Sequence, residues 1–381
     1  MPQFLFITLL AAFPALSTDM YLPALPTIQT QMAATPAVAN LSLVLFFALF
    51  SVFLLVFGPL ADKYGRRPIL LGGITVYILG SIFCAISQDI TQLIIARMLQ
   101  ASGAASAAAL SMTLAKDLYT GQDRQKILAY IGVIIPICPM IAPSIGQIII
   151  QYTSWQWIFI CQTILATCAL YGSIRFKEPV FEKATGSIIE LFKLYPVVLK
   201  NYRFTTYCFS FAFMGIGFFG YIAASADIFI NTFTTSGQTY ALLFGLNACG
   251  FMAGSFFCSV IGNRWAPSGI LSFSLFGVAL GSLLILLTGG SIEGFTSSML
   301  LMTFSLGVSR PISNNMILEA VNSNIGTAAA LLTFTYFVMG AIAMEIVSLH
   351  WTSRINALGI LGIAAGIVPL IALFAMRTKR K

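Results

Sequence analysis

Residues 37–87 read AVANLSLVLFFALFSVFLLVFGPLADKYGRRPILLGGITVYILGSIFCAIS. Two apolar runs, each close to the ~20 residues that cross a hydrocarbon core, flank a turn. There one acid and three basic residues fall between Asp62 and Arg67. Lipid offers no hydrogen-bond partners, so a spanning backbone must satisfy its own donors, and a helix does so within one segment. The stretch therefore predicts a helical hairpin in a bilayer. The basic excess of its turn places that turn on the cytoplasmic face.

The pattern repeats along the chain. Of 381 residues, 58% are hydrophobic and only 8% charged, with a mean hydropathy of +0.92, well outside the globular range. Apolar runs between breakers predict spans near 4–26, 37–59, 68–87, 90–115, 125–150 and 154–174. A second set follows near 204–230, 237–261, 268–288, 293–318, 325–349 and 355–376. The expectation is an all-α polytopic membrane protein with twelve transmembrane helices in two pseudo-symmetric six-helix bundles. The N-terminal bundle covers 1–174, a cytoplasmic linker 175–203 and the C-terminal bundle 204–381; a short amphipathic helix over Ile188–Leu199 is predicted in the linker. No basic region precedes the first run, Phe4 to Leu16, so it reads as a span rather than a signal peptide.

A net charge of +8 would suggest nucleic acid for a soluble chain. Here, with both termini cytoplasmic, 17 of the 20 Lys and Arg fall in cytoplasmic turns, the linker and the tail, which the positive-inside rule accounts for. Only Arg97, Arg310 and Arg354 lie elsewhere. No nucleic-acid partner is expected, and the chain is placed as a multi-pass monomer in the cell (inner) membrane. Its seven cysteines lie in apolar runs without a CxxC pair and read as free thiols. No P-loop, HExxH, GxSxG or Cys/His cluster occurs, so no catalytic residue, metal or cofactor is expected and ATP is not the energy source. Ion gradients remain. Two equal halves joined by a basic loop are the plan of transporters with parallel repeats, whose substrate site lies at the repeat interface near mid-membrane. A membrane-embedded enzyme is a remote alternative.

Within the turn, Gly58 is expected to allow close helix approach, Gly65 to adopt a positive φ, and Arg66 and Arg67 to anchor the headgroup zone. Asp62, at a helix C-terminus, opposes its own dipole. It is expected to face another helix's N-terminus, near Gly326 and Thr327 of span eleven. Asp19 is the unusual residue of span one: at 1.5 Å per residue from Phe4 it lies about 22 Å from the inner face. Arg97 lies about 10 Å below the outer face of span four, so in a core of about 30 Å the two reach nearly one level. An embedded charge is a functional hypothesis by default. Desolvation favours a neutral acid and a nearby guanidinium favours the carboxylate, so separating the pair would load or release a proton. The competing reading is a permanent salt bridge fixing spans one and four. In span five, Pro139 and Pro143 with Gly146 are expected to kink the helix and pack it closely. Polar residues on the spans make a candidate substrate cavity: Tyr21, Gln100, Tyr221, Asp227, Asn247, Asn314 and Tyr336. For each singly, an interhelical hydrogen bond is an equal alternative. Asp227 is read as the half-repeat counterpart of Asp19, and Glu345, His350 and Trp351 as interfacial.

Gly58 to Arg67 resembles the major facilitator signature GxLxDrxGRR, and Gly254 to Arg264 is a faded copy of it without the acid. Ser17 to Pro26 (STDMYLPALP) and Arg97 to Gly103 (RMLQASG) resemble the drug:proton antiporters of the bicyclomycin and chloramphenicol resistance type. Their span-four signature is RxxQGxG, in which Ala101 here replaces the first glycine. Their span-five signature ends GPxxGG, where this chain reads APSIGQ over 142–147. The resemblance covers essentially the whole chain. It implies proton antiport with alternating access and export of small, largely lipophilic compounds, with the Gly58–Arg67 turn as a conformational lock. An exporter of one endogenous metabolite, such as a siderophore or amino acid, is the alternative.

Overall fold

The protein, seen in a computed structural model, is described over residues 3–176, 178, 188–262, 264–321, 323–349 and 351–378. The first half holds α1 (Gln3–Asp19), a 3-10 turn (Leu22–Ala24), α2 (Leu25–Gln31), α3 (Pro36–Tyr64), α4 (Arg66–Ile86), α5 (Ile90–Leu118), α6 (Gly121–Tyr152) and α7 (Gln156–Arg175). Two short helices follow, α8 (Ile188–Phe192) and α9 (Leu194–Leu199). Then come α10 (Tyr202–Ala212), α11 (Met214–Ala226) running into a π-helical turn (Asp227–Thr232), α12 (Gly237–Ile261), α13 (Pro267–Thr288), α14 (Ile292–Leu318), α15 (Ile325–Ser348) and α16 (Arg354–Thr378).

Among the described residues, ten helical stretches are long and apolar enough to cross a membrane. Helices α6 and α14 complete the twelve expected spans. Within α6, Ile137–Tyr152 is an apolar helical stretch. Helix α14 is diluted by Ser298, Thr303, Ser305, Ser309 and Ser313, all of them buried. A span that turns serines toward its neighbours in place of leucines loses hydropathy without losing length.

Helix starts are fixed by side-chain caps that recur between the halves. The Thr35 hydroxyl accepts the Val38 N–H at the start of α3 (3.4 Å) and Ser236 accepts that of Thr239 at the start of α12 (3.1 Å). Asp89 accepts from Gln92 at α5 (2.9 Å), and Ser291 from Gly294 at α14 (3.1 Å). Each supplies an acceptor to an otherwise orphaned first-turn donor. Ala33 and Thr234, two positions before the first pair of caps, both take positive φ (49° and 53°). Packing repeats with the same correspondence. In the first half α4 packs on α5 and α7, α3 on α5, and α1 on α6; in the second α13 packs on α14 and α16, α12 on α14, and α11 on α15.

Three expectations are corrected. Spans one and seven are not single rods: the first breaks at a 3-10 turn and the seventh ends in π-helix. Pro23 and Pro26, each lacking an N–H, explain the first break. The predicted amphipathic helix Ile188–Leu199 is two helices. Helix α8 packs on α3 while α9 packs on α15 and α10, and the chain divides into two compact units, 1–193 and 194–381, between them. Finally, equivalent caps lie 201 residues apart at Thr35 and Ser236 and 202 apart at Asp89 and Ser291, so Asp227 falls at the level of Leu25 and Pro26 and not of Asp19. No disulfide joins the seven cysteines, and His350 lies outside the described residues.

Candidate functional site

The N-terminal unit carries two polar centres. The first is the turn between α3 and α4. Gly65 has φ 109°, a conformation that side chains resist, and it reverses the chain within one residue. Arg66 donates through Nε to Asp117 at the end of α5 (3.0 Å) and through Nη1 to Asp62. Arg67 donates through Nη2 to the Ile174 carbonyl (2.6 Å), placing a cation on the C-terminal carbonyls of α7, where its charge is favoured. Glu178 accepts the backbone N–H groups of both Arg66 (2.5 Å) and Arg67 (2.7 Å). One carboxylate thus caps the N-terminus of α4 and meets its positive dipole end. Sequence reasoning missed Glu178 and Asp117. The signal was present in each as the sole acid beside basic residues at the cytoplasmic end of a span, but only folding shows which donors they meet. A Cβ on Gly58 would meet nothing within 4 Å, so the close approach expected there is not made in this conformation.

The second centre is built on the break in span one. Because the Tyr21 N–H turns back to the Thr18 carbonyl (3.1 Å), the Ser17 carbonyl loses its α-helical donor. Arg97 Nη1 takes its place at 2.9 Å and also donates to Gln100 Oε1 at 2.5 Å. Gln100 in turn donates to Ser81 and to Gln162, each at 2.8 Å, and Gln162 donates to the Leu16 carbonyl at 3.1 Å. The guanidinium lies over the rings of Phe46 (4.2 Å) and Tyr21 (4.7 Å), an arrangement that stabilises a desolvated cation. Tyr21 is held by a hydroxyl contact with Ser42 (2.9 Å). Arg97 is fully buried, and its Nε and Nη2 have no partner.

Asp19 sits two residues from that carbonyl, 3% exposed, and accepts from Thr18 Oγ1 at 3.0 Å. Among the described residues no cation pairs with it, so the expected contact between Asp19 and Arg97 is not formed: Arg97 reaches the backbone before the acid. Gly146 of α6 packs against this break, where a Cβ would come within 2.1 Å of the Met20 carbonyl oxygen. Pro143 is buried and Pro139 half-buried, and α6 is helical through both.

In the C-terminal unit the polar residues do not form one cluster. Asp227 pairs with Arg354 at 2.6 Å and accepts from Asn231 at 2.8 Å, tying the π-helical end of span seven to the start of α16. Of this pair, the sequence reading placed Asp227 in the cavity lining and gave Arg354 no partner. Asn247 donates to the Leu243 carbonyl (3.0 Å) and accepts from Thr303 (3.4 Å), the interhelical alternative. Tyr221 is buried with its ring stacked on Phe244. Tyr336 carries the Arg310 guanidinium 3.6 Å above its ring centre, and Asn314 Oδ1 is buried without a partner.

The sequence profile described as Major Facilitator Superfamily matches residues 7–344. The chain is 27% identical to the uncharacterized MFS-type transporter YdgK of Bacillus subtilis (strain 168), over 98% of this chain and 94% of that one. It is 25% identical to a chloramphenicol resistance protein of Pseudomonas aeruginosa, over 89% of this chain and 81% of that one. Among solved structures, the D-xylose-proton symporter superposes with a TM-score of 0.73 at 15% identity, over 98% of this chain and 96% of that one.

Proposed function

Since the chain belongs to the Major Facilitator Superfamily, we propose that it is a secondary transporter exporting small, largely lipophilic compounds by proton antiport with alternating access. Asp19 carries the proton, and Arg97 answers to its charge. The observation that carries this reading is a buried carboxyl without a cation partner, set at the break of the first span. A carboxylate out of water is costly unless paired, so a proton and a guanidinium are alternative ways of neutralising it. Arg97 has two unpartnered N–H-bearing nitrogens and is held by a backbone carbonyl two residues from the acid. Exchange of that carbonyl for the Asp19 carboxylate has a large electrostatic consequence. The resistance protein among the relatives supports drug-like cargo. The bundles 1–174 and 204–381, the linker 175–203 and cytoplasmic termini complete the proposal, with the Gly58–Arg67 turn as a latch.

In everted vesicles acidified inside and reporting through a pH-sensitive dye, adding an exported compound such as chloramphenicol is expected to release luminal protons. Asp19→Asn is expected to abolish that release. An unchanged signal in this variant rules out Asp19 as the proton carrier.

A further inference from the structure

The spans of the C-terminal unit contain a cation that no acid among the described residues neutralises. Arg310, in the second half of α14, has no carboxylate within ion-pair distance and no hydrogen bond to its guanidinium among the described residues. Its one recorded side-chain contact is the face of Tyr336, 3.6 Å from the guanidinium carbon to the ring centre. Tyr336 is in turn fixed by Phe219, with ring centres 5.4 Å apart. The other acids of the unit are engaged or remote. Asp227 belongs to Arg354 and Glu319 to Asn315, and Glu293 lies in the first turn of α14, seventeen residues and about 25 Å along the helix from Arg310. Glu345 stands nine residues beyond Tyr336 on α15, about 13 Å along the helix. Arg97 is sealed, whereas none of the Arg310 nitrogens is a buried, unpartnered atom. Its donors keep some exposure and are free to take an acceptor.

One turn along the same face of α14, Asn314 presents a buried oxygen with no donor. Positions i and i+4 on a helix are neighbours. A planar fork of donors held flat on an aromatic ring suits a planar anion, and an orphaned acceptor on the next turn, its Cβ about 5–6 Å from that of Arg310, suits an N–H or O–H of the same molecule. A charge embedded in a span without a partner is costly and marks a binding site by default.

We propose that Arg310, Tyr336 and Asn314 form an anion-recognising subsite, so that the compounds this protein prefers carry a carboxylate or similar anionic oxygen group beside a hydrogen-bond donor. This rests on the export reading and narrows its cargo away from lipophilic cations. A cation there faces the Arg310 charge with no acid to offset it. A neutral compound leaves the Arg310 donors without an anionic acceptor.

The test uses three fluorescent probes sharing one ring system: dansylglycine (anion with a sulfonamide N–H), dansylglycinamide (neutral) and dansylcadaverine (cation). They are titrated onto the full-length protein in nanodiscs, with empty nanodiscs subtracted. Dansylglycine is expected to bind tighter than either by about tenfold or more, the size of one charge-assisted hydrogen bond. Arg310→Gln is expected to erase that preference and Arg310→Lys to keep part of it. Equal or tighter binding of dansylcadaverine, no binding of dansylglycine, or an anion preference that survives in Arg310→Gln overturns the subsite. The wild-type ratio decides the question even where a variant does not fold. Loss of preference with proton release intact, driven by dansylglycine or by chloramphenicol, sinks this proposal alone, whereas absence of release with every one of the three probes and with chloramphenicol sinks the export reading itself.

Discussion

The carboxylate of Glu178 holds two backbone donors that α4 cannot satisfy within itself. Removing it in Glu178→Ala leaves both N–H groups to water at the membrane face, and a loss of about 1–2 kcal/mol is expected. Glu178→Gln keeps one acceptor and should fall between. Thermal unfolding of the purified protein in detergent reads both, and no change in Glu178→Ala would show that the cap contributes nothing. At Gly146 the limit is steric. With the Met20 carbonyl oxygen 2.1 Å from the place of a Cβ, Gly146→Val must push α6 off the break in span one. Overpacking of this kind costs about 1–3 kcal/mol, and export should fall with stability. The residues behind these predictions show how unevenly the site was legible. Gly65, Asp19 and Arg97 were visible because each is an odd choice for its place: a glycine beside charges, and charges in apolar runs. Glu178 carried only a weak signal, an acid beside basic residues at the end of a span, because a linker acid is ordinary until its donors are known.

Element boundaries were largely readable, since a helix in lipid must run until the chain reaches water. The starts at Ile90, Gly237 and Ile325 match the expected spans. Interruptions were not. The 3-10 turn at Leu22–Ala24 and the π-helical turn at Asp227–Thr232 arise in stretches that remain apolar, so hydropathy passes over them. The first was hinted at by Pro23 and Pro26; the second has no proline and no sequence signal we recognise. Matched caps give a test at this scale. Asp89→Ala and Ser291→Ala each remove the acceptor for a first-turn donor of helices α5 and α14. Each should cost about 0.5–2 kcal/mol, measured by chemical denaturation in detergent. A cost confined to one of the two would show that the caps, though equivalent in position, are not equivalent in effect.

For the molecule as a whole, charge distribution predicts topology. Green fluorescent protein fused after Lys381 is expected to fluoresce and alkaline phosphatase there to be inactive, while phosphatase fused after Gln88 is expected to be active. The reverse pattern would invert the orientation and with it the direction of transport. Composition, span count and the duplicated plan were fixed by the sequence alone, because solvation by lipid constrains every residue of a spanning segment in the same way. What only the tertiary structure decided is which polar groups meet. Arg97 takes a carbonyl freed by a local break instead of Asp19, Asp227 takes Arg354, and Arg310 takes no acid among the described residues. Pairing depends on directions and distances between helices of a few ångströms, and a hydrophobic pattern averages over both.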